Sequence, residues 1–478
     1  MSETQILSGK WTVNQDEFSY NGSLHYNVDS RYITLELLIP ESSEENAGRF
    51  PYEGNLSSVS GTLLTGAKVL LYDCEVASVN YHLMQYAQII IYANYAFWGL
   101  SGKHIGAFLF KGACVDFGEV LSWFDLCKYE DLRNQDIEQH GYVWNATNSI
   151  EWKIDENLTV SFIPVAGGFG GKNYSQEITL RQSIKVRLEY QNDVPWETVL
   201  QDVKKIQYLI GVGTKQRIAI NELKYLYSDY FTIVSEETGE CIWDEGDVLI
   251  GTGKVEKNRY TEPYNHLFSF NDLLKVENGA QNWFFFYEKL KPVLDLFFSI
   301  YGPIYSIEAA FLSLTQALET FHARFKANTM GEYKKRVEKL VSNLRDINNK
   351  ELWSRFLMDD GQKNAKNILL KSRLSDLYFA DEDLPLMRET DLPPDIMKKI
   401  TDSRNYYTHY DEKRKKQAYT SEELQIVNGY LICLLQYHIM CVIGFSANDA
   451  KKAVKKRVDA LYGYLRKNNL HLYDYPDN

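Results

Sequence analysis

The sequence predicts an α+β multidomain protein, with a β-rich, sandwich-like domain over residues 1–280 followed by an all-α domain over residues 281–478. Three observations carry this. Over the first 190 or so residues, apolar and polar side chains alternate with a period of two, punctuated by Gly, Asn and Asp, as expected of many short strands. From about Gln281 the apolar spacing lengthens to the 3.6 residues of a helix. The charge changes as well: residues 301–478 hold 28 Lys+Arg against 24 Asp+Glu, or +4, leaving 24 against 40, or −16, for residues 1–300. Halves of opposite charge balance are expected to do different jobs.

In the first part the alternation predicts strands at Lys10–Val13, Tyr32–Ile39, Lys68–Leu71, Gln88–Tyr92, Ala107–Lys111, Leu158–Ile163 and Ser183–Tyr190, a sandwich or jelly-roll pattern. Pro195–Gly211 reads as a helix. Pro195 fits its first turn, and Val199, Val203, Ile206 and Ile210 share one face. Strand-like segments follow at 219–225 and 230–234. In the second part the period predicts helices at 281–300, 304–326, 330–347, 351–357, 363–378, 393–413, 421–443 and 447–467. Asp381–Pro385 and Asp391–Pro394 carry turn and helix-start signals between them.

With 478 residues, 45% of them hydrophobic, the chain is long and apolar enough to form real cores. Met1–Gln5 lacks the basic start and apolar run of a signal peptide. The most lipid-like stretch, Trp283–Tyr305, is broken by Glu288, Lys289, Lys291, Pro292 and Asp295, so it does not read as a membrane span. A soluble cytoplasmic protein with no membrane partner is expected. Cysteines 74, 114, 127, 241, 433 and 441 form no C-x-x-C pair and predict reduced, mostly buried thiols, with Cys433 and Cys441 on the core side of one helix.

An arginine followed by four to six residues and a histidine occurs four times: Arg133 with His140, Arg259 with His266, Arg404 with His409, and Arg466 with His471. The spacing alone therefore decides nothing. Context separates the pairs, because only Arg404 and His409 lie inside a predicted long helix, preceded by Asp402 and Ser403 and followed by the basic run Lys413-Arg414-Lys415-Lys416. An arginine supplies a permanent cation and a histidine a group that titrates near neutral pH, which together suit phosphodiester cleavage without a metal. On a helix, Asn405 and His409 share a face, so Asn405 is placed to orient the imidazole, while Arg404 sits about 140° away. Two copies of the helix can bring both groups to one cleft. The competing reading makes Arg404 a salt-bridge partner of its own helix, through Asp402 or Asp411, and His409 a core residue.

Arg404-Asn405-x-x-x-His409, followed by Tyr410-Asp411 in a helical C-terminal part, resembles the HEPN superfamily, and specifically the ApeA-like HEPN domain. Ser19-Tyr20-Asn21-Gly22-Ser23-Leu24 and the strand Tyr32–Leu38 are similar to the ApeA N-terminal domain. The resemblance implies a metal-independent endoribonuclease of an anti-phage abortive-infection system, needing no cofactor, dimeric at minimum through its HEPN domain. It further implies RNA, tRNA included, as the target, a phage-derived trigger, and a sensing or regulatory N-terminal domain. Carried over by residue, Arg404 stabilises charge on phosphorus, His409 acts as general acid or base, and Asn405 fills the polar position after the arginine. Lys413, Arg414, Lys415 and Lys416 are then expected to hold flanking phosphates and Tyr410 to stack on a base, with Asp402 and Asp411 supporting the site. The alternative is a non-catalytic dimeric interaction protein with a ligand-binding β-sandwich.

Other constellations point to structure first. Lys451, Lys452, Lys455, Lys456 and Arg457 form a second basic run, for which a solvated helix face and RNA-backbone binding weigh about equally. Ala166-Gly167-Gly168-Phe169-Gly170-Gly171-Lys172-Asn173 approaches a phosphate loop, but Asn173 replaces the magnesium-binding hydroxyl and a strand pattern follows, so a hairpin loop is expected. Glu319 and His322 share a helix face, for which helix packing is the expected role. Tyr406, Tyr407 and Tyr419, available for base stacking beside the motif, are expected to pack.

Overall fold

The computed structural model describes residues 4–13, 19–27, 30–40, 54–82, 86–100, 108–131, 142–170, 179–235, 240–251, 258–302, 306–344, 347–378, 394–455 and 457. It divides into two compact units, one of Met1–Ile210 with Ile218–Pro263, the other of Gly211–Arg217 with Tyr264–Asn478. Arg133 with His140, Arg466 with His471, Gly171–Asn173, Lys456 and the turn signals from Asp381 to Pro393 lie outside the described residues.

In the first unit the alternating segments form β1 (Thr4–Val13), β2 (Tyr20–Asn27), β3 (Tyr32–Pro40), β4 (Asn55–Leu63), β5 (Lys68–His82) and β6 (Tyr86–Trp98). They pair in the order β6-β3-β2-β1-β4-β5, and β5 pairs back onto β6, closing an antiparallel barrel. Alternation fills its interior: Ile33, Leu35, Leu37 and Ile39 of β3 are buried, while Thr34, Glu36 and Leu38 between them are not. Trp11 is fully buried in this core. Its Nε1 donates to the Gly22 carbonyl at 3.3 Å. A Cβ on Gly61 would fall 2.2 Å from the Trp11 ring, so this strand position has room only for glycine.

The chain continues through β7 (Phe110–Asp116), α1 (Leu121–Phe124), β8 (Cys127–Asp131), β9 (Tyr142–Ala146), β10 (Ile150–Lys153), β11 (Leu158–Gly170), β12 (Thr179–Val194), α2 (Trp196–Thr214), β13 (Glu222–Ser235) and β14 (Glu240–Ile250). β14 joins β6 at Tyr95–Phe97 and opens a sheet in the order β14-β13-β7-β12-β11-β10, while β8 and β9 pair separately. The β-rich part is thus a closed barrel that merges into an open sheet. The two strands expected at 219–225 and 230–234 are one, β13, with a register shift between Leu226 and Phe231. Gly167 and Gly170 pair with Arg181 and Thr179 in a β-hairpin, and a strand follows where a phosphate loop needs a helix.

Helix α2 starts at Trp196, directly after Pro195, and buries Trp196, Val199, Val203, Ile206 and Ile210. The Trp196 ring meets Phe97 at 4.9 Å and Phe110 at 5.1 Å between centroids, seating the helix on the sheet. Asp202 on that helix is buried but satisfied, accepting from the Tyr190 hydroxyl at 2.7 Å and the Lys205 ammonium at 2.8 Å.

The second unit contains α3 (Phe270–Leu274), α4 (Gly279–Ser299), α5 (Ile307–Phe325), α6 (Met330–Asn343), α7 (Ile347–Leu357), α8 (Asp360–Lys363), α9 (Leu370–Tyr378), α10 (Pro394–His409) and α11 (Ser421–Ile443), with residues 447–455 helical again. Side chains start several of them. Thr329 with Glu332 and Thr420 with Glu423 form capping boxes for α6 and α11. The helix expected over 363–378 starts only at Leu370, as α9, and Lys363 instead ends the separate short α8 that Asp359 caps. The central helix is α11, buried on every side from Ile426 to Met440 and packed against α4, α5 and α9. Among the described residues, α11 is the helix long and apolar enough to cross a membrane by length and composition, and 89% of its most apolar stretch is buried. Of the stretch singled out in the sequence, Trp283–Tyr305, residues 283–302 are the charge-bearing α4 and the turn after it, and 303–305 lie outside the described residues. Cys74, Cys114, Cys127 and Cys433 are buried and Cys441 is half-buried, all as free thiols.

Candidate functional site

Helix α10 carries Arg404, Asn405 and His409, and its buried face explains where they point. Ile396, Met397, Ile400 and Ser403 are buried. The Ser403 hydroxyl donates to the Lys399 carbonyl at 2.7 Å and accepts the Tyr419 N–H at 2.9 Å. Tyr407 donates to the Tyr419 carbonyl at 2.7 Å and packs on Phe311 of α5, with centroids 6.3 Å apart. These bonds clamp α10 between α5 and the residues that lead into α11. With that face fixed, Arg404 and Asn405 are half-buried and His409, the last residue of the helix, is exposed.

The helix stops at His409, four residues before the sequence-based end at 413. Tyr410 adopts a left-handed conformation, φ 50°, which an α-helix does not continue through. The Asp411 side chain then accepts the Lys413 N–H at 3.1 Å, and Lys415–Gln417 make a single 3-10 turn. Lys413–Lys416 therefore sit on an exposed turn beyond His409 and not on further helix turns. Arg414 lies 3.8 Å from Asp411 and Lys415 3.4 Å from Glu412, in exposed pairs that constrain them little. Tyr406, Tyr407 and Tyr419 are buried, whereas Tyr410 is 63% exposed and presents its ring to solvent.

Arg404 donates from Nη1 to Asn405 Oδ1 at 3.3 Å, and its Nη2 lies 3.9 Å from Glu319 Oε2 on α5. Among the described residues it pairs with neither Asp402 nor Asp411, the partners that a purely structural role within its own helix would use. Within one protomer Asn405 thus engages the arginine and not the imidazole. Among the described residues the His409 ring has no hydrogen-bond partner. The second Arg-His pair, Arg259 with His266, is divided between the two units.

One turn along α5 from Glu319, His322 is fully buried in a cluster with Asp376, Arg336 and Arg373. Arg373 Nη1 donates to His322 Nδ1 at 2.9 Å; because a guanidinium only donates, Nδ1 must accept and the ring proton sits on Nε2. Nε2 donates to Asp376 Oδ2 at 2.9 Å, and Arg336 Nε reaches both carboxylate oxygens at 2.8 and 2.6 Å. Burial pushes His322 below its ordinary value, with Arg373 and Arg336 adding to the shift and Asp376 opposing it. For Asp376 burial acts against ionisation, but His322 and Arg336 outweigh it and hold the carboxyl below the usual range. The packing role expected for His322 holds, while Glu319 faces Arg404.

His438 on α11 is also buried, its Nε2 bonded to the Leu377 carbonyl at 2.7 Å. Burial, aided by Lys326, pushes it down from 6.5 to about 3. Below pH 6.5 the unfolded chain binds protons that the folded protein refuses, so stability is lost as pH falls through that window. For His438 alone, moving from pH 8 to 5.5 costs about 1.4 kcal/mol. Thermal unfolding followed by helical circular dichroism at the two pH values is expected to show this loss, and His438→Gln to reduce it. An undiminished loss in that variant would assign the acid sensitivity elsewhere.

A helical unit that carries Arg404 and Asn405 on a helix ending in an exposed His409, C-terminal in sequence to a β-rich unit, is the architecture of a HEPN-type protein with an appended N-terminal domain. Residues 7–283 match the family model described as ApeA N-terminal domain 1, and residues 312–449 match Apea-like HEPN. The chain belongs to the ApeA family. The HEPN match begins inside α5 and takes in Glu319, the buried cluster and all of α10. No match to a curated protein or to a solved structure was found.

Proposed function

We propose that the protein is a metal-independent HEPN endoribonuclease of an anti-phage abortive-infection system, and that two protomers meet through their HEPN domains to complete the site. The observation that carries this reading is the accessibility of both reactive groups: His409 is exposed at a helix end and Arg404 is only half-buried on the same helix. The interaction-protein reading needs a buried His409. In the proposed reaction the RNA 2′-oxygen attacks the adjacent phosphorus and the bond to the 5′-oxygen breaks. A 2′,3′-cyclic phosphate and a 5′-hydroxyl remain. One His409 takes the proton from the 2′-hydroxyl, the other gives one to the leaving 5′-oxygen, and Arg404 offsets the charge growing on the phosphoryl oxygens. Lys413–Lys416 and the open ring of Tyr410 are suited to the flanking phosphates and a base.

The N-terminal unit, in this reading, senses a phage-derived trigger and keeps the nuclease silent until then. RNA, tRNA included, is the substrate class. The test uses purified full-length protein, an extract of phage-infected cells as activator, and total RNA with chelator present. Cleavage is expected to continue in chelator, to leave cyclic phosphate ends, and to stop at a site whose nucleotide lacks the 2′-hydroxyl. Cutting of the 2′-deoxy site at the wild-type rate, or complete dependence on a divalent ion, defeats the proposal.

A further inference from the structure

We infer that Glu319 is a positioning residue for Arg404, biasing the direction of the guanidinium from a second helix; the inference rests on the ribonuclease reading above. Arginine is a long, rotamer-rich side chain, so one held at a single point samples many geometries that miss the phosphate. Among the described residues of its own helix, the Arg404 guanidinium finds only Asn405, at 3.3 Å. Glu319 of α5 supplies the other contact, 3.9 Å from Nη2. A residue 85 positions away in sequence thus completes the fork's orientation.

Glu319 is itself well placed to be rigid. It lies one turn before His322, which Asp376, Arg336 and Arg373 hold at 0% exposure. Burial pulls the Arg373 guanidinium below its ordinary value, and the Glu319 carboxylate opposes that shift. The buried cluster anchors the turn of α5, the turn presents Glu319, and Glu319 orients Arg404. The contact does not mask the arginine. At 3.9 Å, with both side chains more than a third exposed, it is longer than a direct hydrogen bond, and most of the five guanidinium N–H groups stay available to phosphate oxygens.

The experiment compares full-length wild-type, Glu319→Ala, Glu319→Gln, Arg404→Ala and the Glu319→Ala/Arg404→Ala double variant on a labelled single-stranded RNA, with infected-cell extract as activator. Glu319→Ala is expected to lower kcat about ten- to hundredfold with KM within about twofold, because orientation and not binding is lost. Glu319→Gln keeps an acceptor and is expected to recover part of the rate. The double variant should be no slower than Arg404→Ala, since both changes remove one function. Full activity in Glu319→Ala beside an inactive Arg404→Ala overturns this inference and leaves the ribonuclease reading standing. A faster Glu319→Ala overturns it as well, marking the contact as a restraint. Undiminished cleavage by Arg404→Ala removes both.

Discussion

Replacing His409 by alanine is expected to slow RNA cleavage about 10²- to 10⁴-fold, the range for loss of a general acid-base group. Arg404→Ala is expected to cost about 10²- to 10³-fold, as when a donor to a developing oxyanion is removed. Neither change should unfold the protein. His409 is exposed at the last position of α10, and the arginine's ion pair is one between partly exposed groups, worth about 1 kcal/mol at most. The double variant should be little worse than the weaker single one, because the two groups serve one step. Rates on a defined RNA, with melting curves as the folding control, check all three. Activity retained in both single variants would mean that the chemistry lies elsewhere.

The largest effect on stability is expected at Asp376. Asp376→Ala removes the fully buried carboxylate that the buried His322 and the partly buried Arg336 share. The loss leaves the Arg336 cation without its carboxylate and the His322 Nε2–H without an acceptor, and breaking a buried charged network in this way costs about 3–5 kcal/mol. Arg414→Ala is the matched control, since its contact with Asp411 joins two exposed side chains and should change stability by less than about 0.5 kcal/mol. Denaturant unfolding of the two variants tests the contrast; equal stability would mean that the cluster is dispensable for folding.

What the sequence made legible follows from the range of the interactions involved. Strands such as β3, with Ile33, Leu35, Leu37 and Ile39 on one side, announce themselves through local alternation, and α2 through Pro195 and its apolar face. β4, with Ser58, Ser60 and Gly61, and β8 to β10, each only four or five residues long, carry too little alternation to be seen alone and are held by their partners. The end of α10 was misjudged because nothing local marks Tyr410 as left-handed: it is neither Gly nor Asn, and the residues after it suit a helix. At the candidate site, Arg404, Asn405 and His409 are close in sequence, so a local motif is enough to nominate them. The contact from Glu319 and the cluster of His322, Arg336, Arg373 and Asp376 join different helices, and no spacing rule reaches that far.

The antiparallel arrangement of the N-terminal unit also bears on how copies of the protein coexist at high concentration. With the barrel closed by β5 and β6, the strand order of the large sheet has a terminal edge at β10, which pairs with β11 over Thr159–Phe162. That edge is four residues long and carries exposed Glu151 and Lys153 on either side of Trp152. A short, charged border is a poor template for another chain. Strand addition at that end of the sheet is thereby discouraged.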